Sequence, residues 1–249
     1  MKLTLKTLMA ISVVLVAAAS QAQDMNASNI KEEKLRITTF IPNDGLRLDE
    51  VAFPTRHKVD FLGTPIPIIK VEEVISQEAG ITVDEFATLL ASQIAQHAKT
   101  HNVEFCACLC KGDSGNMGAV ITTISSRAFC PVVNLCPQGM KRMQNLSIHN
   151  HLPKGAYEKT STDRLLDKLA NKPANTRNAN IVITGTADDF SEEDMEHDGY
   201  MISMISNQLK FHKNGKVRIV SSLTVPRSAL VQTAMGAVSA FEPTTNPTR

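Results

Sequence analysis

Aromatic residues and net charge are both scarce in this sequence. The 249 residues include no tryptophan, and only 4% are aromatic, so the side chains on which nucleic-acid bases stack are largely missing. The formal net charge at pH 7 is +1, without the basic excess that neutralises phosphate groups. These two shortages argue against a nucleic-acid-binding protein, and we expect no nucleic-acid partner.

Long apolar runs are also missing, except at the amino terminus. Residues 1–22 combine two lysines, an apolar run from Leu8 to Ala19 and a small-residue cleavage site ending at Ala22, which is the layout of a secretory signal peptide. Removal of this leader takes away both lysines and no acid, so the formal charge of the mature chain becomes −1. No later run reaches the roughly 20 apolar residues that a membrane span needs. We therefore predict a secreted or periplasmic protein without a membrane span.

The mature chain has the length of one domain with short extensions. Residues 23–50 are polar and predict a flexible N-terminal arm, whereas residues 227–249 predict a weak helix followed by a loose tail. Between them, residues 51–226 alternate short apolar runs with helical patterns. This alternation indicates a single domain of the α/β class.

Local motifs inside the domain predict individual elements. The capping box at residues 82–85, Thr-Val-Asp-Glu, begins a helix that is expected to end near residue 100. Apolar spacing predicts a second, shorter helix within residues 160–171. The Asn-Gly dipeptide at 214–215 predicts a hairpin, and the runs 200–205 and 217–220 on either side of it are expected to be paired strands.

The five cysteines fall into two groups. Cys106, Cys108 and Cys110 alternate along a predicted strand, and Cys130 and Cys136 follow in a later segment. Because an oxidising compartment preserves disulfides, we expect one cysteine of the first group to pair with one of the second, and the spacing leaves the connectivity open. A metal cluster on the three alternating cysteines is the alternative, but bridged or packed cysteines are more typical of this pattern, and C-x-x-C pairs are absent.

Two pairs of histidines have spacings that could serve a metal ion. His97 and His101 are four residues apart at the end of the predicted helix, but the glutamate of an H-E-x-x-H motif is absent, which favours a solvated last turn. His149 and His151 are two residues apart at the end of a predicted strand. Side chains alternate between the two faces of a strand, so these two imidazoles point the same way and can bind one ion together.

A catalytic zinc site needs a third protein ligand and a nearby acid or base. Asp194 of Ser191-x-x-Asp194 is the best candidate for the ligand, and Asp163 of Thr160-x-x-Asp163 competes with it, although each motif alone is typical of a helix N-cap. Glu104 interrupts an apolar run that is predicted to be a strand. A carboxylate in such a run needs a partner or a function, which makes Glu104 the candidate general acid/base.

Taken in order, these motifs resemble the JAMM, or MPN-type, zinc metallopeptidases. The family pattern is a helix leading to a strand with a glutamate, then H-x-H, then S-x-x-D opening a helix, then a further strand, and residues 82–220 follow that order. The resemblance implies an MPN-like mixed β-sheet flanked by helices. It also implies a secreted zinc-dependent peptidase or isopeptidase that hydrolyses an amide bond of a peptide or protein substrate with a metal-activated water.

The resemblance assigns a role to five residues. It implies a Zn²⁺ ion held by His149, His151 and Asp194. It implies Glu104 as the catalytic acid/base and Ser191 as a hydrogen-bond donor to the developing oxyanion. Family members that keep the fold but lose the metal suggest an alternative function, a non-catalytic MPN-like binding or inhibitory module.

The sequence departs from the family pattern between the histidines and the S-x-x-D motif. His151 and Ser191 are 40 positions apart, more than is usual, so residues 152–190 are expected to form an insertion over or beside the site. Asp163 lies nearer the usual distance, but Asp194 is favoured because a phenylalanine precedes its serine and a Gly-Tyr strand follows, as in the family. A nuclease, suggested by the letters His-Asn-His, is disfavoured because the basic surface it requires is missing.

Overall fold

A computed structural model describes residues 34–40, 58–177 and 179–223. The predicted signal peptide, residues 1–22, and the predicted C-terminal helix and tail, residues 227–249, lie outside these described residues. The predicted flexible arm, residues 23–50, is described only over 34–40, and there it forms a strand of the main sheet. Part of the segment expected to be an arm is therefore a structural element of the domain.

The described residues form twelve strands and three α-helices. The strands are β1 (Leu35–Thr39), β2 (Lys58–Phe61), β3 (Thr64–Pro67), β4 (Ile69–Ser76), β5 (Cys106–Gly112), β6 (Met117–Thr123), β7 (Met140–His151), β8 (Gly155–Tyr157), β9 (Ile181–Ile183), β10 (Gly199–Ser203), β11 (Gln208–Lys213) and β12 (Lys216–Ser222). The helices are α1 (Val83–His101), α2 (Ser161–Leu169) and α3 (Ala174–Arg177). The predicted mixture of helices and strands in one domain is confirmed at this coarse level.

Eight of the strands form one mixed sheet, in the order β1-β4-β6-β5-β7-β10-β11-β12. All neighbours in it are antiparallel except β7 and β10, which run parallel. Two small antiparallel sheets, β2-β3 and β8-β9, complete the strands. The parallel pairing places the first residue of β10, Gly199, opposite Ser147 of β7, and its last residue, Ser203, opposite His151.

Helix α1 supplies the apolar layer that covers one face of this sheet. Its predicted capping box is present, since the Thr82 hydroxyl oxygen accepts from the Glu85 N–H and the Glu85 carboxylate accepts from the Thr82 N–H. Phe86, Leu90 and Ile94 recur at helical spacing and are fully buried against the sheet. Burial of each such side chain contributes about 1.5–3 kcal/mol, so this stripe fixes the helix on the sheet.

The end of α1 differs from the expectation of a solvated last turn. His97 is buried, with only 6% of its surface exposed, and its Nε2 lies 3.1 Å from the Glu72 carboxylate of β4. His101 is half-buried, and burial, together with the neighbouring His97, lowers its pKa. The prediction for His97 was wrong because its partner lies on a strand that is distant in sequence, which the helix pattern alone does not indicate.

The Asn-Gly hairpin is confirmed, but its strands are not the expected pair. Asn214 and Gly215 both have positive φ, 49° and 74°, as a tight hairpin turn requires, and they join β11 to β12. Strand β10, at the expected run 200–205, pairs with β7 and β11 and not with β12. Strand β11 was missed because a charged residue, Lys210, occupies a buried position in it.

Two disulfides tie the segment after β6 to strand β5. Cys106 is bonded to Cys130 and Cys110 to Cys136, while Cys108 is a buried free cysteine. One disulfide between the two cysteine groups was expected, and two are present. Of the three alternating cysteines only Cys108 keeps its thiol, so these three cannot together form a metal cluster. Disulfides of this kind indicate an oxidising, non-cytosolic location. Among the described helices, none combines the length and the apolarity needed to cross a membrane.

Residues 152–190 contain the small β8-β9 sheet, helices α2 and α3 and a 3₁₀ turn at Gly185–Asp188. The predicted short helix is confirmed as α2. It begins at a capping box in which Thr160 and Asp163 bond each other's backbone N–H groups. This segment leaves the sheet at the end of β7 and returns to it at β10.

Candidate metal centre

The two histidines lie at the carboxyl end of β7 and face the same side of the sheet. His149 is opposite Cys106 of β5 and Met201 of β10, and His151 is opposite Ser203 of β10. Because side chains alternate along a strand, both imidazoles project from one face, and their Nε2 atoms are 3.1 Å apart. The intervening residue, Asn150, points to the opposite side and is fully buried.

Asp194 approaches the histidines from the loop that precedes β10. Its Oδ1 lies 3.3 Å from His149 Nε2, and its Oδ2 lies 3.3 Å from His151 Nε2. The potential ligand atoms of the three residues all lie within 4.8 Å of one another, so this group could hold a metal ion. Two imidazole nitrogens and one carboxylate oxygen form a donor set that suits zinc.

A backbone contact orients His151 for this purpose. Its Nδ1 lies 3.1 Å from the carbonyl oxygen of Ala187, which can only accept a hydrogen bond, so Nδ1 carries a proton. A neutral ring with a proton on Nδ1 presents a lone pair at Nε2, the atom that faces Asp194 and His149. Such outer hydrogen bonds are typical of metal-binding histidines, and the residues present therefore fit a divalent cation.

The carboxylate and imidazole of this group shift each other's pKa. Burial alone would raise the pKa of Asp194, but hydrogen bonds from His149 and His151 outweigh it and hold that pKa below its usual range. Burial likewise opposes protonation of His151, yet the hydrogen bond to Asp194 and the charges of Glu104 and Asp194 raise its pKa. The carboxylate is therefore held in the ionised form that a metal ligand needs.

Glu104 lines the same cleft as the three clustered residues. Strand β5 begins at Cys106, so Glu104 lies two residues before the strand. The expectation that Glu104 interrupts the strand was wrong by those two residues. Only 8% of its surface is exposed, and burial, the largest influence, raises its pKa to about 8 even though the charge of His151 opposes the shift. A carboxyl group with such a pKa can take up and release a proton near neutral pH.

Ser191 lies at the start of the turn that carries Asp194. Its N–H donates to Asp194 Oδ2 at 2.8 Å, and its Oγ accepts from the Asp194 N–H at 3.2 Å. The serine is exposed and lines the cleft, and its hydroxyl keeps its own hydrogen to donate. The local turn thus aims the Asp194 carboxylate and places a hydroxyl beside it.

The cleft has a volume of about 1100 Å³. Its apolar lining includes Phe129 and Val132 from the disulfide-bonded segment and Val182 and Phe190 from residues 152–190. This volume slightly exceeds the roughly 300–1,000 Å³ of typical small-molecule pockets.

Asp163, the competing candidate for the third ligand, is not part of the cluster. Its Oδ1 accepts from Ser126 Oγ at 2.7 Å and from the Arg127 N–H at 3.0 Å, and its Oδ2 accepts from the Thr160 N–H at 2.9 Å. Its carboxylate is therefore fully engaged with the chain, and the structure brings Asp194, not Asp163, to the histidines.

A buried lysine that sequence reasoning missed supports the Ala187 carbonyl. Lys210 of β11 donates to the Asp188 carbonyl oxygen and lies 2.9 Å from Asp189 Oδ1, while the Ser203 hydroxyl donates to Asp188 Oδ1. These contacts fix the 3₁₀ turn whose Ala187 carbonyl orients His151. A lysine within an alternating apolar strand was the sequence signal that could have revealed it.

Asn150 is a second residue that sequence reasoning missed. Its Oδ1 accepts from the Phe105 N–H at 2.8 Å, and its own N–H donates to the Phe105 carbonyl oxygen at 3.2 Å. This pair of bonds ties the residue after Glu104 to the residue between the two histidines. The sequence did offer one indication of this role, because Asn150 is a polar residue between two potential metal ligands, His149 and His151.

Comparison with known proteins provides no relative from which a role could be transferred. No family model, no curated protein and no solved structure matches the chain. The geometry of the cleft and the order of the motifs along the sequence are therefore the features that indicate a function.

Proposed function

We propose that this protein is an exported zinc-dependent peptidase or isopeptidase with an MPN-type fold. The observation that carries the proposal is the convergence of three ligand atoms from His149, His151 and Asp194 within 4.8 Å, in a cleft that also contains the buried carboxyl group of Glu104. Three protein ligands with space beside them are the arrangement of catalytic rather than structural zinc sites. The two disulfides agree with export.

In this proposal, His149, His151 and Asp194 hold the zinc ion, with the Ala187 carbonyl keeping His151 in the ligating tautomer. When bound, zinc supplies Lewis-acid polarisation of a carbonyl group and activation of water near neutral pH. The residues of the chain then have to hold the amide substrate, move one proton and stabilise the oxygen that becomes negative.

Glu104 is the residue that moves the proton. Its carboxylate accepts a proton from the attacking water, and the resulting carboxylic acid delivers that proton to the leaving amine nitrogen. Its burial suits both steps, because a pKa of about 8 lies within about one unit of neutral pH, so the carboxylate and the carboxylic acid are both accessible there. Ser191 donates its hydroxyl hydrogen to the developing oxyanion, which is worth about 100- to 1000-fold in rate at comparable sites.

Metal content is the first test of the proposal. The full chain, purified without chelators, is expected to contain close to one zinc per molecule by elemental mass spectrometry. His149→Ala should lose the metal, whereas His197→Ala should retain it, because His197 lines the cleft outside the cluster and provides a matched control. Folded protein that binds no divalent metal would contradict the proposal and would favour a non-catalytic binding module.

Hydrolysis is the second test. Incubation with a mixed peptide library and with a branched isopeptide, followed by mass spectrometry, should reveal cleaved amide bonds. Glu104→Gln is expected to keep its zinc and lose about 100- to 10,000-fold in rate, because it removes the proton carrier and preserves the shape of the site. Equal activity of the wild type and the glutamine variant would remove Glu104 from the mechanism.

A further inference from the structure

The capping box of helix α2 contacts Ser126 and Arg127, which follow β6, and Ser126 in turn bonds the backbone of Glu104. We propose that Asp163 is a positioning residue for Glu104, acting through Ser126, so that a residue of the segment between β7 and β10 sets the geometry of the proton carrier. The catalytic meaning of this positioning depends on the proposed function, whereas the positioning itself does not.

Two hydrogen bonds, one on each side of Ser126, connect the Asp163 carboxylate to the backbone N–H of Glu104. Asp163 Oδ1 accepts from Ser126 Oγ at 2.7 Å and from the Arg127 N–H at 3.0 Å. The carbonyl oxygen of Ser126 then accepts from the N–H of Glu104 at 2.8 Å. Both carboxyl-bearing residues are buried, with 4% of Asp163 and 8% of Glu104 exposed, so water does not readily replace these bonds.

The turn that Asp163 holds has a backbone conformation that needs support. Ser125 has a φ of 59° and is fully buried, and a residue with a Cβ persists in this left-handed region only where its surroundings impose it. The Ser125 N–H donates to Thr123 Oγ1 at 2.9 Å before the turn, and Asp163 bonds the two residues after it. Without the Asp163 carboxylate, the second half of the turn loses two of its hydrogen bonds, one to the Ser126 side chain and one to the Arg127 backbone.

The other side of Glu104 is held independently. The Phe105 N–H donates to Asn150 Oδ1, and the Glu104 carbonyl oxygen accepts from the Thr123 hydroxyl at 2.6 Å. Loss of Asp163 should therefore release the N–H side of Glu104 while its carbonyl side stays fixed. The expected result is a pivot of the side chain within the cleft, not a loss of the fold.

Hydrogen exchange in the full chain tests this positioning without a substrate. Asp163→Ala removes both acceptors of the carboxylate and is expected to speed exchange of the Glu104 N–H by about tenfold or more. Asp163→Asn keeps a carbonyl oxygen for Ser126 and Arg127, so exchange should remain close to the wild-type rate. Thr160→Val removes only the hydroxyl of the cap and is the control for loss of helix stability.

Two results of this exchange measurement would overturn the inference. One is an unchanged Glu104 rate in Asp163→Ala. The other is an equal acceleration in Thr160→Val, which would show that stability of α2 alone governs the segment. If Asp163→Ala does not fold, Ser126→Ala replaces it, because this variant removes only the hydroxyl that donates to Asp163 Oδ1: faster exchange of the Glu104 N–H supports the positioning, and an unchanged rate overturns it.

Steady-state kinetics adds the catalytic readout. On any peptide that the wild type cleaves, Asp163→Ala should retain its zinc and its KM but lose about 100-fold in kcat, the scale of a displacement of about 1 Å, and Asp163→Asn should restore most of it. A parallel rise in KM with unchanged kcat would contradict positioning of the proton carrier. If the wild type cleaves no peptide, the proposed function fails, and the exchange measurement still decides the positioning.

Discussion

Two turns of this protein share a local motif and differ in what their carboxylates face. Thr160-x-x-Asp163 and Ser191-x-x-Asp194 each place an aspartate where it accepts the N–H of the hydroxyl residue, at 2.9 Å and 2.8 Å. At Asp163, the remaining oxygen accepts from Ser126 and the neighbouring backbone. At Asp194, both oxygens lie 3.3 Å from imidazole nitrogens.

The comparison separates what local sequence determines from what the fold determines. The spacing of a hydroxyl and a carboxylate is sufficient to form the turn, because both partners are within one helical turn of each other. The chemical role of each aspartate carboxylate depends on which other residues the fold places beside it. Asp194 precedes β10, whose first residue, Gly199, lies opposite Ser147 of β7, two positions before His149, and from there its carboxylate reaches both histidines.

The largest expected difference between the two turns concerns metal. Asp194→Asn should weaken zinc affinity by at least about 100-fold, because it removes a charged ligand, whereas Asp163→Asn should leave the affinity within about threefold of wild type. Competition titration with a chromophoric chelator measures both. Equal weakening in the two variants would erase the distinction drawn between the turns.

Stability should respond in the opposite order. Asp163→Ala is expected to lower the free energy of unfolding by about 2–4 kcal/mol, because buried donors of Ser126 and Arg127 lose a charged acceptor. Asp194→Ala should cost about 1–2 kcal/mol in metal-free protein, less than Asp163→Ala, because its carboxylate, although held ionised by the two histidines, is more exposed than that of Asp163. Urea unfolding in the presence of a chelator provides the values. A metal-free Asp194 variant that is the less stable of the two would contradict the comparison.

Acid should affect the α2 region through a neighbouring carboxylate. Burial acts to raise the pKa of Asp167, but hydrogen bonds and charges from Lys159 and Lys172 outweigh it and lower that pKa. A depressed pKa contributes stability above the ordinary carboxyl pKa, near 4, and that contribution is lost as the pH falls through the folded-state value. Asp167→Asn should therefore be less stable by about 1–2 kcal/mol at pH 7, with the difference shrinking below pH 4. Thermal unfolding across that range measures it, and a gap that persists undiminished at low pH would contradict the assignment.

The smallest expected effects concern the cap hydroxyls. Thr160→Ala should cost about 1 kcal/mol, because it uncaps the nine-residue helix α2. Ser191→Ala should lower the free energy of unfolding by no more than about 0.3 kcal/mol, because only a three-residue 3₁₀ turn follows Ser191. Chemical denaturation of both variants checks the ranking. An equal loss of stability in the two variants would contradict this ranking, because it would mean that the Ser191 turn stabilises the fold as much as the cap of α2 does.

Short-range patterns predicted much of the fold and of the candidate site. The α1 capping box, the α2 helix and the Asn-Gly turn depend on residues within a few positions of one another, and all three are present. The clustering of His149 and His151 follows from the alternation of a strand. Their convergence with Asp194 was expected only from the order of motifs in a known family.

The predictions that failed depend on partners distant in sequence. The contact between His97 and Glu72 joins a helix to a strand residue 25 positions earlier, and no local spacing marks it. Strand β11 was not predicted because it contains the charged residue Lys210. In the structure Lys210 forms ion pairs with Asp188 and Asp189, at the end of the 3₁₀ turn. In both cases the sequence shows a polar or charged side chain, and only the fold shows which carboxylate lies beside it.

The Cys106–Cys130 bond gives the two sides of the cleft different freedom to move. Cys106 lies opposite His149, and Cys130 belongs to the wall that includes Phe129. That wall cannot separate from the strand beside the histidines unless a covalent bond breaks. Val182 and Phe190 also line the cleft, and among the described residues neither disulfide reaches the segment that carries them, so this part of the lining lacks the covalent restraint of the Phe129 side.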